Sequence, residues 1–170
     1  MLIARIRKHT LLSTTLESEL LDLIAVRRLS ADRTLMLREE DHFFVAEGIL
    51  KKESQPNQDV SHFLTEGQFG IFPPARSSYH FMSLEPTTVL ILSQEDVDRL
   101  LVENRWLLGV YRKLLFEWAM ERFHRMELLL LPAAEAKAAL LARLGKLANR
   151  IPNKDLASYL SLNVSYYSTL

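Results

Sequence analysis

The chain has 170 residues, 48% of them hydrophobic, enough to pack one sizeable domain or two small ones. Lys plus Arg and Asp plus Glu number 21 each, so no net charge draws the whole molecule to nucleic acid, anionic membrane or acidic substrate, and any such affinity must be local. The absence of cysteine excludes disulfides, thiolate metal sites and cysteine-ligated iron–sulfur clusters.

Residues 1–8 alternate apolar and basic side chains without the apolar core and cleavage site of a signal peptide. No apolar run is long enough to span a bilayer, so the expectation is a cytoplasmic protein with no membrane partner. Ser13 or Thr14 is placed to cap a short helix in which Leu16, Leu20, Leu21, Leu23 and Ile24 share one stripe.

From about Leu29 to Leu92 the period changes to two, the repeat of a strand. Apolar segments at 34–37, 42–45, 48–50 and 89–92 are separated by an acidic run expected to be an exposed turn (Glu39, Glu40, Asp41), a polar loop at 54–59, and breaks at 66–68 and Pro73-Pro74. Short strands divided by turns predict a sandwich or barrel.

Ser93 followed by Glu95 and Asp96 marks a helix start, and from there to Leu131 there is no proline and one glycine, Gly109, so a helix or a helix pair fills this stretch. Phe116, Ala119, Phe123, Met126 and Leu130 recur at alternating steps of three and four, the spacing of a coiled-coil seam. Leu107, Tyr111, Leu114 and Trp118 form a second apolar face. Two faces need two partners, and the economical pair is the barrel and a second copy of the chain, giving a homodimer; the alternative is a helix buried within one monomer.

Pro132 ends that stretch, a helix rich in Ala, Leu and Lys follows over 133–147, and residues 150–153 break it before another short helix. In this tail Lys137, Arg143, Lys146, Arg150 and Lys154 outnumber Glu135 and Asp155, so it is mildly basic. Residues 155–164 have helix-turn-helix spacing: Ala157 is small at the helix crossing, Leu156, Leu160 and Leu162 point inward, and a second helix starts near Val164.

Preceded by Arg150, Ile151, Pro152, Asn153 and Lys154, this string resembles the helix-turn-helix of the Crp/Fnr family of bacterial transcription regulators, and the order barrel, long helix, helix-turn-helix fits that family across almost the whole chain. The resemblance implies an α+β fold: a double-stranded β-helix or jelly-roll sensor barrel of the cyclic-nucleotide-binding type over 1–103, a dimerisation helix over 104–131, and a partial winged helix-turn-helix over 132–170. It implies a homodimeric DNA-binding regulator rather than an enzyme. No glycine-rich phosphate loop, nucleophile elbow or clustered acid/base pair argues otherwise. The candidate DNA contacts are Lys154, Ser165, Tyr166 and Thr169, and the candidate dimer interface is the seam Phe116, Ala119, Phe123, Met126 and Leu130.

Two departures qualify that expectation. Ser165 and Thr169 stand where the family places an acidic residue and an arginine, and they offer weaker, less selective base contacts. The sequence also stops at Leu170, before the family's β-hairpin wing, which leads one to expect an incomplete reading head. The alternative is a dimeric binding or protein-interaction module of the same fold without DNA binding.

In the family's ligand segment the matching residues are Gly70, Arg76 and Ser77, the last two at the phosphate-binding positions. Ile71 replaces the carboxylate that holds the ribose, and Pro73-Pro74 interrupts the helix whose N-terminus holds the anion. No cofactor is therefore expected and cyclic AMP is not the expected effector, which leaves another small molecule open; Arg76 could instead pair with Glu85. No two of the five histidines have the spacing of a helical metal site, so no metal is expected.

Overall fold

The computed structural model describes residues 13–170, so the reading of residues 1–8 lies outside the described residues. Helix α1 (Thr14–Leu23) starts at Ser13, whose hydroxyl accepts the Leu16 N–H at 3.2 Å and satisfies one of the open donors of the first turn. Leu16 and Leu20 of its apolar stripe are buried.

Eight strands follow: β1 (Ala25–Leu29), β2 (Thr34–Leu35), β3 (His42–Glu47), β4 (Leu50–Ser54), β5 (Val60–Leu64), β6 (Phe69–Ile71), β7 (Tyr79–Ser83) and β8 (Thr87–Leu92). They form two antiparallel four-stranded sheets in the orders β1-β8-β3-β6 and β2-β7-β4-β5, the interleaving of a jelly roll. Leu35, Phe43, Val45, Leu50, Leu64, Phe81, Val89 and Ile91 fill the space between the sheets, with the Phe43 and Phe81 rings edge to face at 4.9 Å. β8 is apolar on both faces because Val89 and Ile91 enter this core while Leu90 and Leu92 meet the helices outside.

Three details differ from the sequence expectation. The barrel begins earlier, with β1, an edge strand whose Arg27 and Arg28 are exposed, as charged edges commonly are. Residues 36–37 do not extend β2. Asp41 is buried rather than exposed: its carboxylate accepts the N–H of Arg38 at 3.0 Å and that of Gln94 at 3.3 Å, tying the turn to the start of the next helix.

The stretch after the barrel is a helix pair, α2 (Gln94–Glu103) and α3 (Leu107–Leu129), interrupted at residues 104–106. Ser93 caps α2 by accepting the Asp96 N–H at 3.1 Å. Leu107, Val110 and Leu114 of α3 pack with Leu16, Leu20, Phe44 and Leu100, and the Tyr111 hydroxyl lies 2.7 Å from His42 Nε2. The tail holds α4 (Ala133–Leu144), a 3-10 turn (Gly145–Arg150), α5 (Asn153–Tyr159) and α6 (Val164–Thr169), so α4 ends three residues before the expected position, at Gly145 with φ +54°.

That tail packs on the barrel instead of standing apart. Leu128, Leu140, Ile151, Leu156, Leu160 and Tyr167 form one apolar cluster with Val60 and Phe63 of β5 and with Ile49, just before β4. Full burial of a side chain of this size stabilises by about 1.5–3 kcal/mol, so these few contacts are sufficient to hold the tail in one orientation.

Candidate functional site

Three surfaces bear on function: the turn between α5 and α6, the outward face of α3, and the barrel interior beside α3. The first is built by backbone geometry. Ser161 adopts φ +57°, its N–H donates to the Ser158 carbonyl at 2.9 Å, and the Leu162 N–H donates to the Ala157 carbonyl at 2.9 Å, the paired bonds of a Schellman stop. Asn163 then caps α6 by accepting the Tyr166 N–H at 2.7 Å, which fixes the start near Val164 that the spacing predicts. Lys154, Ser165, Tyr166 and Thr169 are all exposed, while Tyr167 is buried and anchors α6 under the Lys137 ammonium, 4.5 Å from its ring centroid.

α5 is clamped to the sheet by charges that sequence reasoning did not single out. Lys51 Nζ lies 2.6 Å from Glu53 Oε2 and 3.0 Å from Asp155 Oδ1, and all three residues are buried. His80 Nε2 meets the other Glu53 oxygen at 3.0 Å. Burial opposes the Lys51 charge, but the hydrogen bonds to Glu53 and Asp155 outweigh it and raise its pKa above the ordinary lysine value. Nearby, the Val60 N–H donates to Ser158 Oγ at 2.9 Å, and Arg125 Nε donates to the Tyr159 carbonyl at 2.9 Å. Glu85 pairs with Arg150, not with Arg76, and the same guanidinium reaches Glu66 at 2.9 Å and holds that carboxyl below its usual pKa.

On α3 the seam residues are left open. Phe116, Phe123, Met126 and Leu130 are 65%, 55%, 61% and 86% exposed, and Ala119 is half-buried among them. Exposure of this size in a contiguous apolar stripe marks an interaction surface.

The residues expected at a phosphate site are not brought to the barrel interior together. Arg76 is exposed on the turn after Pro73-Pro74, Ser77 N–H donates to the Pro74 carbonyl at 2.8 Å, and no helix forms between β6 and β7. Gly70 is buried opposite Phe43, where a Cβ would lie 2.5 Å from the ring, so its small size answers to barrel packing. A cavity of about 350 Å³ lies instead between the barrel and α3, walled by His62, Gln68, Phe69, Leu114, Trp118 and Met120 among others. Among the described residues no cluster of His, Asp or Glu is arranged to hold a metal, and no helix is long and apolar enough to cross a membrane.

No protein-family model matches the sequence, and no curated protein matches it. Solved structures do. FixK2 from Bradyrhizobium japonicum superposes with a TM-score of 0.70 at 17% identity, covering 86% of this chain and 81% of that one. A cyclic nucleotide-binding domain containing protein from Listeria monocytogenes gives 0.73 at 12% identity, with 91% and 86% covered. The c-di-GMP responsive global regulator CLP of Xanthomonas campestris gives 0.65 at 13% identity, with 91% and 87% covered. At these identities the likeness is one of fold, and the fold is that of Crp/Fnr-type cyclic-nucleotide-binding proteins.

Proposed function

We propose that this chain, with its Crp/Fnr-like cyclic-nucleotide-binding fold, works as a homodimeric, cytoplasmic DNA-binding transcription regulator that does not respond to cyclic AMP and catalyses no reaction. The observation that carries this reading is the α5-turn-α6 unit. Its inner residues are locked to the barrel while Lys154, Ser165, Tyr166 and Thr169 all face solvent. In this reading they contact DNA, and the open seam on α3 pairs with that of a second copy, which sets two such units at a fixed spacing. The fold likeness to the global regulator CLP supports it.

A second reading, a dimeric sensor or protein-interaction module without DNA binding, is favoured by one fact: α6 carries no Lys or Arg. Light scattering followed by titration with labelled duplex DNA at low salt separates the two. The first reading expects a dimer whose binding weakens steeply with added salt and is lost on Lys154→Glu; a dimer that leaves DNA unretarded establishes the second. Phe123→Glu should give monomer or aggregate, because it places a charge in a desolvated seam, and a normal dimer overturns the seam. Calorimetry with cyclic AMP should show no heat, since Arg76 lies away from the cavity and Ile71 supplies no ribose partner.

A further inference from the structure

Lys52 is a lysine turned into the barrel with no carboxylate to meet it. On β4 it stands in register with His62 of β5 and Phe81 of β7, so it shares the inward face with Leu50, Leu64 and Phe81. Its ammonium lies 4.7 Å from the Tyr79 ring centroid and 5.9 Å from that of Phe81, and among the described residues no ion pair joins it to an acid. Glu53, next along the strand, faces the other way and is taken by Lys51 and His80, and Glu121 of α3 is taken by Arg143. The charge that does face Lys52 is another cation, Arg122, stacked on Trp118 with its guanidinium carbon 3.5 Å from the ring centroid. Beside them His62 keeps an Nδ1 with no hydrogen-bond partner among the described residues.

An ammonium in this setting is opposed twice, by burial and by Arg122, and its pKa falls to about 8. Near that pH about half of the Lys52 amine is uncharged, roughly a hundredfold more than for an ordinary lysine. The side chain is only half-buried and the neighbouring Tyr79 is exposed, so a small electrophile and water both reach the nitrogen. An aldehyde would leave a cationic imine there and an acyl donor a neutral amide, whereas carbon dioxide leaves an anion, the one product that turns Arg122 from an opponent into a partner.

We infer that Lys52 is a modification site that takes up carbon dioxide as a reversible carbamate, the new anion being balanced by Arg122 and His62. The lone pair of the uncharged Nζ attacks the carbon of carbon dioxide and forms an N–C bond. One C=O π bond breaks as its electron pair moves to oxygen, and a proton on Nζ leaves to water, so that amine and carbon dioxide give carbamate and one proton without oxidant or reductant. The step reverses the sign of charge on the inner face of β4 and needs neither DNA nor a second copy of the chain, so it stands or falls apart from the regulator reading above.

The experiment exposes the full chain to carbon-13-labelled carbon dioxide and bicarbonate near pH 8, follows the carbamate carbon by NMR, traps it as an alkyl ester with a trialkyloxonium salt and locates it by peptide mass spectrometry. Lys52 should carry the label with an occupancy about tenfold or more above that of the exposed Lys113. The label should vanish in Lys52→Met and also in Lys52→Arg, which keeps the cation but has no amine to lose a proton, and it should fall about tenfold in Arg122→Met while Arg76→Met retains it. The α-amino group, which also forms a carbamate near this pH, stays labelled in every variant and reports that the reaction took place. An unlabelled Lys52 beside a labelled α-amino group, or equal labelling of Lys52 and Lys113, overturns the site. A carbamate that Arg122→Met leaves undiminished overturns Arg122 as its partner.

Discussion

Lys51 and Lys52 are neighbours in sequence and occupy opposite worlds. The pleat of β4 sends Lys51 outward, into the contact with the tail, where Glu53 and Asp155 hold its charge and raise its pKa. It sends Lys52 inward, among aromatic rings and beside Arg122, where burial is offset by no ion pair among the described residues and its pKa drops to about 8. The lesson is that the same side chain on one strand is matched by carboxylates on one face and opposed by burial and a neighbouring cation on the other.

The comparison can be broken from the paired side first. Lys51→Met leaves Glu53 and Asp155 facing each other's surroundings without their shared cation, and should destabilise by about 3–5 kcal/mol in denaturant melts. Lys51→Met combined with Asp155→Leu should recover part of that loss; an undiminished deficit in the double variant removes the ion network as its cause.

The inward side is read by acid. The folded pKa of His62, about 4, lies below its ordinary 6.5, so the unfolded chain takes up the proton first as pH falls. Stability from neutral His62 is therefore complete above about pH 6.5 and is lost as pH falls toward 4, by roughly 3 kcal/mol in total. His62→Phe should flatten that part of the pH profile of thermal melting, and an unchanged profile contradicts the burial of an uncharged imidazole beside Lys52, Arg122, Arg125 and Arg143. The smallest effect belongs to the turn: Ser161→Gly relieves a left-handed residue and should stabilise by about 1 kcal/mol, measurable as a raised melting temperature.

Much of this fold is legible in the sequence because its parts repeat a period. The α1 stripe, strands β3 and β8, the apolar spacing along α3 and the α6 start all follow from apolar spacing and cap residues, whereas β5, β6 and β7 are not individually legible. β1 escapes because four of its five residues are exposed, so it shows no alternation of buried and exposed positions. The break at 104–106 escapes because neither proline nor glycine marks it. Asp41 reads as part of an exposed acidic run because one of the two donors to its carboxylate, the Gln94 amide, is brought to it only by the closed barrel.

The candidate site was less legible than the fold. The resemblance points to Gly70, Arg76 and Ser77, whereas the cavity is walled by residues from β5, β6 and α3 that no local motif joins. Lys51 and Asp155 are 104 positions apart, and nothing local couples them. One signal was present: charged residues at consecutive positions 51, 52 and 53 of a strand must fall on both faces, so in a covered sheet at least one of them is buried.

The shared apolar cluster of tail and barrel also governs how the chain comes apart. Ile49, Val60 and Phe63 belong to the barrel, yet their covering partners Ile151, Leu156 and Leu160 come from the tail, synthesised long after the strands. Until those helices arrive, the nascent barrel carries an uncovered greasy wall, a liability for sticking to other chains. Once they have docked, neither part can open without stripping the other, so heat should meet a single cooperative unit and not a barrel with a loosely tethered appendage.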